Sequence, residues 1–299
     1  MMANSITAAK HYAAVLDKAY KHLSLTSMLD VQPEFVREGA TAGSFLIAKQ
    51  TLVGLGTYNK ATGYPAGDVT LAWEEHSYSY DRGRTFSVDA MDDLETAYQA
   101  FGPLAAEFLR LHVVPEVDAI RFKVLANAAG TDTFATLSSS ANWVTAIDTA
   151  VASLGDSTGV PEDEMVLFIT YAGLNYLRNS TPATRYNRPG EAPDRRFGTW
   201  DGIQVVPVPT ARFYYDVTLN AGSSSSAGGF VGKGDVLNFI LMDKKAAFAD
   251  LKHAQPRTFS PLENQTANAW KFDYRVYHDL FVPDNKAAGI YAHSVTEIS

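Results

Sequence analysis

The sequence predicts an α+β fold, and three observations carry that prediction. Two β-like runs, Phe45 to Leu55 and Val69 to Tyr80, flank a turn-rich tip. The strongest helical pattern of the chain follows, over residues 92–129. Beyond it, helical and strand-like segments alternate and close on an aromatic strand, with the period of the apolar residues switching between helix and strand.

The first pattern is helical. Ile6, Ala13, Leu16, Tyr20 and Leu23 share one face, with Asn4 or Ser5 as the cap, and the pattern stops at Asp30-Val31-Gln32-Pro33. Such a helix docks on its own domain or on a neighbouring subunit, and the sequence weighs the two evenly. In the following hairpin, Val69, Leu71 and Trp73 alternate with Thr70, Ala72 and Glu74, the signature of a half-buried strand. Its tip, Gly56 to Pro65, holds little material for a core of its own. A long two-stranded excursion is marginal when isolated, so it is expected to lean on something else, with another subunit as one candidate.

In the long helix, Asp89, Asp92, Asp93 and Glu95 gather at the start, where carboxylates complement the helix dipole. Leu94, Tyr98, Phe101, Ala105, Phe108, Leu109 and His112 keep helical spacing, with a break expected at Gly102-Pro103. Pro115 is expected to kink the helix, with Glu116 and Asp118 as first-turn acids of a new piece. Unbroken, residues 92–129 would span about 55 Å at 1.5 Å per residue. Downstream, helices are predicted at Ala141–Leu154 and Ala172–Asn179. Strands are predicted at Met165–Thr170, Ile203–Val208, Leu237–Met242, Trp270–Val282 and Ile290–His293. Thr181 to Arg196 reads as a polar loop, and Ala221 to Gly229 as a flexible exposed one. No repeat of solenoid or propeller period is present.

Composition excludes several functions. The 299 residues carry 25 basic and 33 acidic side chains, a net charge of −8, which argues against a partner held mainly through phosphates. Cysteine is absent, which removes disulfides, thiolate metal sites and cysteine nucleophiles together. No run approaches the ~20 apolar residues of a membrane span. The first ten residues lack a signal peptide's basic and apolar regions, so a soluble protein, cytoplasmic at synthesis, is expected.

Catalytic motifs fail on context. Gly155-Asp156-Ser157-Thr158-Gly159 matches a nucleophile elbow, but the elbow needs a strand before the serine and a helix after it. Here the order is reversed, which predicts a helix-to-strand turn. Gly232-Lys233 lacks the first glycine and the Ser/Thr of a phosphate loop, and Gly54-Leu55-Gly56 lacks the third glycine of the dinucleotide fingerprint. The seven histidines form no metal-binding spacing, the nearest pair, His278 and His293, being a tertiary guess. No cofactor, metal or catalytic residue is expected.

Two stretches carry a likeness to a known family. One runs from Trp73-Glu74 through Tyr80-Asp81-Arg82-Gly83-Arg84-Thr85-Phe86-Ser87-Val88-Asp89-Ala90-Met91-Asp92 into Val114-Pro115-Glu116-Val117-Asp118-Ala119. The other is Trp270-Lys271-Phe272-Asp273-Tyr274-Arg275-Val276-Tyr277-His278-Asp279-Leu280-Phe281-Val282, followed by Lys286-Ala287-Ala288-Gly289-Ile290. With the order of elements, they resemble the major capsid proteins of tailed bacteriophages, the Hong Kong 97-like coat fold shared with encapsulin shells. The resemblance implies an N-terminal arm at 1–43, an extended loop at 44–89 and a peripheral domain with a spine helix at 90–136. It further implies an axial domain at 137–248, peripheral return strands at 249–284 and a C-terminal strand returning to the axial domain at 285–299.

By the same resemblance, copies of the chain assemble through pentamers and hexamers into an icosahedral shell around a double-stranded DNA genome. Heterologous contacts that close by rotation generate such rings. Inter-subunit contact candidates are Lys60, Tyr64, Arg82, Arg84, Glu116 and Arg275. The helical pattern begins close to Met1, so scaffolding is expected to be a separate protein, beside a portal. Packaged DNA is expected to touch the shell only non-specifically, and the implied location is the virion, reached from the bacterial cytoplasm. Some relatives join subunits through a lysine at the loop tip and an asparagine. Lys60 and Asn285 are available, but unlinked subunits are expected, because Thr57, Asn59, Thr62 and Gly63 give the lysine little apolar cover. The alternatives are an encapsulin-like compartment and, in another class, an α/β hydrolase using Ser157.

Overall fold

The computed structural model describes residues 24–30, 36–38, 44–95, 104–180, 198–223, 227–234 and 236–296. The helix expected over residues 6–23, the Gly102-Pro103 break and the whole loop expected at 181–196 lie outside them. Ser27–Leu29 forms a 3-10 turn whose Leu29 enters the core. Strand β1 (Val36–Glu38) pairs antiparallel with β2 (Ser44–Leu52), and β2 pairs antiparallel with β3 (Val69–Ser77). Both hairpin strands are shorter than the sequence predicts. At Ser77 the chain turns inward, because the Tyr78 ring joins Phe45 and Phe281 and the Ser79 N–H donates to Asp279 Oδ2 at 2.8 Å. Strand β4 (Tyr80–Asp89) then leaves the hairpin for a different sheet.

Helix α1 (Ala90–Glu95) starts at Asp89, whose carboxylate accepts the Met91 N–H at 2.8 Å. Helix α2 (Leu104–Phe108) runs through a π-helical turn, Leu109–Val113, into α3 (Val114–Asn127). From Leu104 to Asn127 the run is about 36 Å long at 1.5 Å per residue. The π turn stands directly ahead of Pro115, where the sequence predicts a kink. A proline leaves the carbonyl four residues back, here that of Leu111, without its usual donor, and a widened turn accommodates the loss.

The remaining elements are β5 (Thr131–Phe134), α4 (Ser140–Thr158), β6 (Met165–Thr170), α5 (Tyr171–Arg178), β7 (Thr199–Trp200) and β8 (Ile203–Val208). They continue with β9 (Val217–Asn220), β10 (Gly229–Gly232), β11 (Leu237–Asp243), β12 (Phe248–Phe259), β13 (Ala269–Phe281) and β14 (Ile290–Ser294). One sheet has six strands in the order β5-β14-β11-β6-β8-β7, and a second has three, β12-β13-β4.

The period of two sets which side chains meet which helix. Val166, Phe168, Ile240, Met242, Ile290 and Ala292 face Phe122 and Leu125 of α3. Their alternates Leu167, Ile169, Phe239, Leu241 and Tyr291 face Trp143, Ile147 and Leu154 of α4 and Leu174 of α5. A sheet covered on both faces needs nearly continuous apolar strands, which is why these runs were legible. The first half of the long helix serves the second sheet, with Ala105, Leu109, Val113 and Val117 packed on Phe272, Tyr274 and Val276. The helix thus joins both sheets through one continuous backbone.

Candidate functional site

The six candidate residues fall into four places. Arg82 and Glu116 meet each other. Arg82 Nε donates to Glu116 Oε1 at 2.6 Å, and its Nη2 reaches the carbonyls of Asn220 at 2.9 Å and Gly229 at 3.2 Å. The guanidinium therefore ties β4, α3 and the β9–β10 loop together. It borders a cleft of about 260 Å³ lined by Phe86, Phe108, Val113 and Tyr274.

Arg275 lies on the other face of the same sheet, where its Nε donates to Asp81 Oδ1 at 2.8 Å. That hydrogen bond holds the Asp81 carboxyl below the ordinary carboxylate range. Arg84 projects beside the β9–β10 loop, close to Gly222 and Gly228. Lys60 and Tyr64 sit apart from all of these, at the hairpin tip. There Asn59 and Gly63 close a turn through two backbone hydrogen bonds, and the Tyr58 and Tyr64 rings stand 5.0 Å apart.

The hairpin itself has two unlike faces. Phe45 and Ile47 of β2 pack on Phe248 and Phe281, fixing its base to the body. The register sets Leu52 opposite Val69, Gln50 opposite Leu71 and Ala48 opposite Trp73 on the other face. The alternation predicted a half-buried strand, but in the single chain Leu52 is 64% exposed, Val69 60% and Leu71 58%. Among the described residues no element folds back over them.

A further cluster escaped the sequence. Asp118 and Arg121 of α3 are both fully buried and hold the segment 24–30 against the helix. Asp118 accepts from Ser24 Oγ at 2.9 Å, Thr26 Oγ1 at 2.7 Å, the Leu25 N–H at 3.2 Å and Arg212 Nη1 at 3.0 Å. Arg121 donates to Thr26 Oγ1 at 2.9 Å and to Asp30 Oδ1 at 2.6 Å. Asp118 is thus not a first-turn acid but the acceptor for a distant segment, because its turn of helix faces inward. The signal was present, as a charge pair three residues apart inside Val117-Asp118-Ala119-Ile120-Arg121-Phe122.

Ser157 lies in the last turn of α4, its hydroxyl donating to the Leu154 carbonyl at 3.3 Å, and Gly159 ends the helix with φ of +68°. Gly155 is inside the helix rather than in the turn. This helix end leads through a 3-10 turn into β6, the reverse of an elbow. Ser157→Ala is expected to leave stability within about 0.5 kcal/mol and to change no hydrolytic rate, measured by urea unfolding and an ester assay. His278 and His293 do not meet, since they belong to different sheets. Among the described residues no group of three His, Asp or Glu side chains is placed to hold a metal, and no helix is long and apolar enough to cross a membrane.

No protein-family model and no curated protein sequence matches the chain. Solved structures match over nearly its whole length. The capsid of cyanophage P-SCSP1u gives a TM-score of 0.59 at 12% identity, covering 87% of this chain and 85% of that one. The mature capsid of bacteriophage PhiM1 gives 0.56 at 13%, covering 90% and 91%. The chain has the phage capsid fold. A virus-like particle from Pyrococcus furiosus matches too, with a TM-score of 0.55 at 11% identity over 95% of this chain and 98% of that one. At such identities the capsid fold is common to them as a backbone arrangement, while side-chain contacts are each chain's own.

Proposed function

We propose that this protein is the major capsid protein of a tailed double-stranded DNA phage, a structural subunit without enzymatic activity. In this reading copies of the chain form pentamers and hexamers that close into an icosahedral shell. Scaffolding and portal proteins act as separate partners, and assembly takes place in the bacterial cytoplasm before the protein resides in the virion. Residues 137–248 then form the axial domain, residues 90–136 and 249–284 the peripheral domain, residues 1–43 the arm, and the last 15 residues, 285–299, the return to the axial domain.

One observation carries the reading beyond the fold. Of the extended loop expected at residues 44–89, the hairpin, residues 44–77, docks one face at its base and leaves Leu52, Val69 and Leu71 of the opposite face open to solvent, while residues 80–89 join the three-stranded sheet. An exposed apolar face on a projecting hairpin fits contact with another subunit, which enlarges the interface without enlarging the core. Deleting Gly56 to Gly67 is therefore expected to leave a folded subunit that no longer closes into shells. Circular dichroism beside electron microscopy checks this, and normal shells from the deletion would contradict it.

Electron microscopy and nucleic-acid content of purified particles test the reading as a whole. Packaged DNA supports the phage capsid, and a non-assembling monomer overturns it. A single protein cargo favours an encapsulin-like compartment, the second reading, which the similarity to the Pyrococcus furiosus particle supports. Subunits are expected to remain unlinked. Lys60 and Asn285 are both exposed, and a crosslink needs a lysine stripped of water by its neighbours. Denaturing gels of mature particles are expected to show a band at the monomer mass of 32.5 kDa, against a ladder abolished by Lys60→Ala if the expectation fails.

A further inference from the structure

The ion pairs of the three-stranded sheet leave two cations over, Arg257 on the face turned away from the helix and Arg84 on the edge strand β4, where it lies in one row with the helix-facing Arg82 and Phe86. Asp81 is taken by Arg275, and Asp273 by Lys271 at 3.1 Å and the Thr85 hydroxyl at 2.7 Å. Arg84 and Arg257 line the same recess, of about 750 Å³, together with His253 and Gln255. Both arginines are exposed, and among the described residues neither guanidinium meets a carboxylate.

The β9–β10 loop makes room for Arg84. A Cβ on Gly222 would stand 2.4 Å from its Nη1 and one on Gly228 3.1 Å, so both glycines clear space for the guanidinium. Gly222 also has φ of +75°, a conformation that favours glycine over residues with a Cβ. A cation positioned this way, with no acid of its own chain to meet, has its fork ready for an incoming acceptor. Guanidinium groups match carboxylates two bonds at a time.

We infer that this recess receives a carboxylate-bearing segment from a second copy of the chain, with Arg84 and Arg257 as the two cations that hold it. The inference rests on the shell-subunit reading and deepens it. It also separates the six candidates, since Arg82, Glu116 and Arg275 are consumed inside the subunit whereas Arg84 is left for a partner. A second copy suits the site by charge, because a chain of net charge −8 presents carboxylates in excess. Duplex DNA suits it less, since Asp81 and Asp273 interrupt the row of cations that a phosphate backbone requires.

The test compares the full-length wild type with R84A/R257A and R84K/R257K, following assembly by light scattering and electron microscopy over a salt series. R84A/R257A is expected to need about tenfold more protein to form shells at low salt, from two lost rim pairs. Its onset should lose the salt dependence of the wild type, and R84K/R257K should recover part of both. Thermal melts of the unassembled subunits should coincide, which separates loss of contact from loss of fold. Equal onsets for R84A/R257A and wild type at every salt concentration would overturn the inference while leaving wild-type shells, and the shell reading, intact. Weaker binding of a labelled DNA duplex with unchanged onset would also overturn it, by making the occupant a phosphate backbone. A wild type that forms no shells would remove the reading beneath it.

Discussion

Replacing Asp118 by alanine is expected to destabilise the folded subunit by about 3–5 kcal/mol, the cost of leaving a buried charge without its partner. Arg121 is fully buried on the same helix, and Arg212 reaches Asp118 from the 3-10 turn after β8. With the carboxylate gone, the Arg212 guanidinium loses its counter-ion, while Ser24, Leu25 and Thr26 lose their common acceptor. The segment 24–30 should then detach, and Leu29, which packs with Phe122 and Leu125, should follow it out of the core. Urea unfolding of the unassembled subunit gives the free-energy change, and limited proteolysis near residue 30 reports the detachment separately. A loss under about 1 kcal/mol would place Asp118→Ala among ordinary surface substitutions and refute the latch. The Arg82–Glu116 pair offers a contrast, because both side chains keep some contact with water and solvent screens their attraction. Substituting Asp118 and Arg212 together with apolar residues of similar volume should cost less than Asp118→Ala alone, since no cation is then left without its counter-ion.

What the sequence made legible follows from how each element is buried. Met165–Thr170 and Leu237–Asp243 are central strands, covered on both faces, so their apolar runs announce them. Strand β12 is as well formed, but its residue pattern does not announce it, and only the resemblance, with return strands at 249–284, implies strands there. It is an edge strand and carries Pro256, which an edge tolerates because one side of its backbone needs no partner. Strand β4 was read as part of the extended loop because Asp81, Arg82, Arg84 and Thr85 mask its apolar alternation. The β9–β10 hairpin was missed because Gly229 and Gly232 leave β10 little strand character. The candidate residues show the same division. Arg82 and Glu116, 34 residues apart in sequence, carry no sign that they satisfy each other. Asp118 follows Pro115 closely, so a helix-start role explained it locally, and nothing local reveals that Ser24 and Thr26 return to it across more than 90 residues.

Acidification should expose a second buried group in the same region, and His278→Leu should remove the effect. His278 continues the stripe Phe272-Tyr274-Val276 that β13 turns toward the helix, and it is 1% exposed. Among the described residues neither ring nitrogen finds a hydrogen-bonding partner. The groups around it give little help to a positive charge. Tyr80 stacks on it from β4 at 5.9 Å, Leu251 faces it from β12, and the charged group acting on it from α3 is the Arg121 guanidinium. Burial first, and Arg121 second, push its pKa down from 6.5 to about 3. The native state therefore refuses a proton that the unfolded chain accepts, so stability falls as the pH drops below 6.5 and goes on falling until about pH 3. Between pH 6.5 and about 4.5 the wild type is expected to lose roughly 2 kcal/mol more than His278→Leu, the slope rising toward 1.36 kcal/mol per pH unit as the unfolded histidine becomes fully protonated. Asp279 works in the opposite sense. Burial raises its pKa despite the Leu280 and Ser79 N–H groups, so the native state gains through it as acid is added. Taking the difference between wild type and variant at each pH cancels that contribution, along with those of the other carboxylates. Urea unfolding of the unassembled subunits across this range measures it. Parallel stability curves would mean that His278 takes up its proton in the folded state as readily as in the unfolded one.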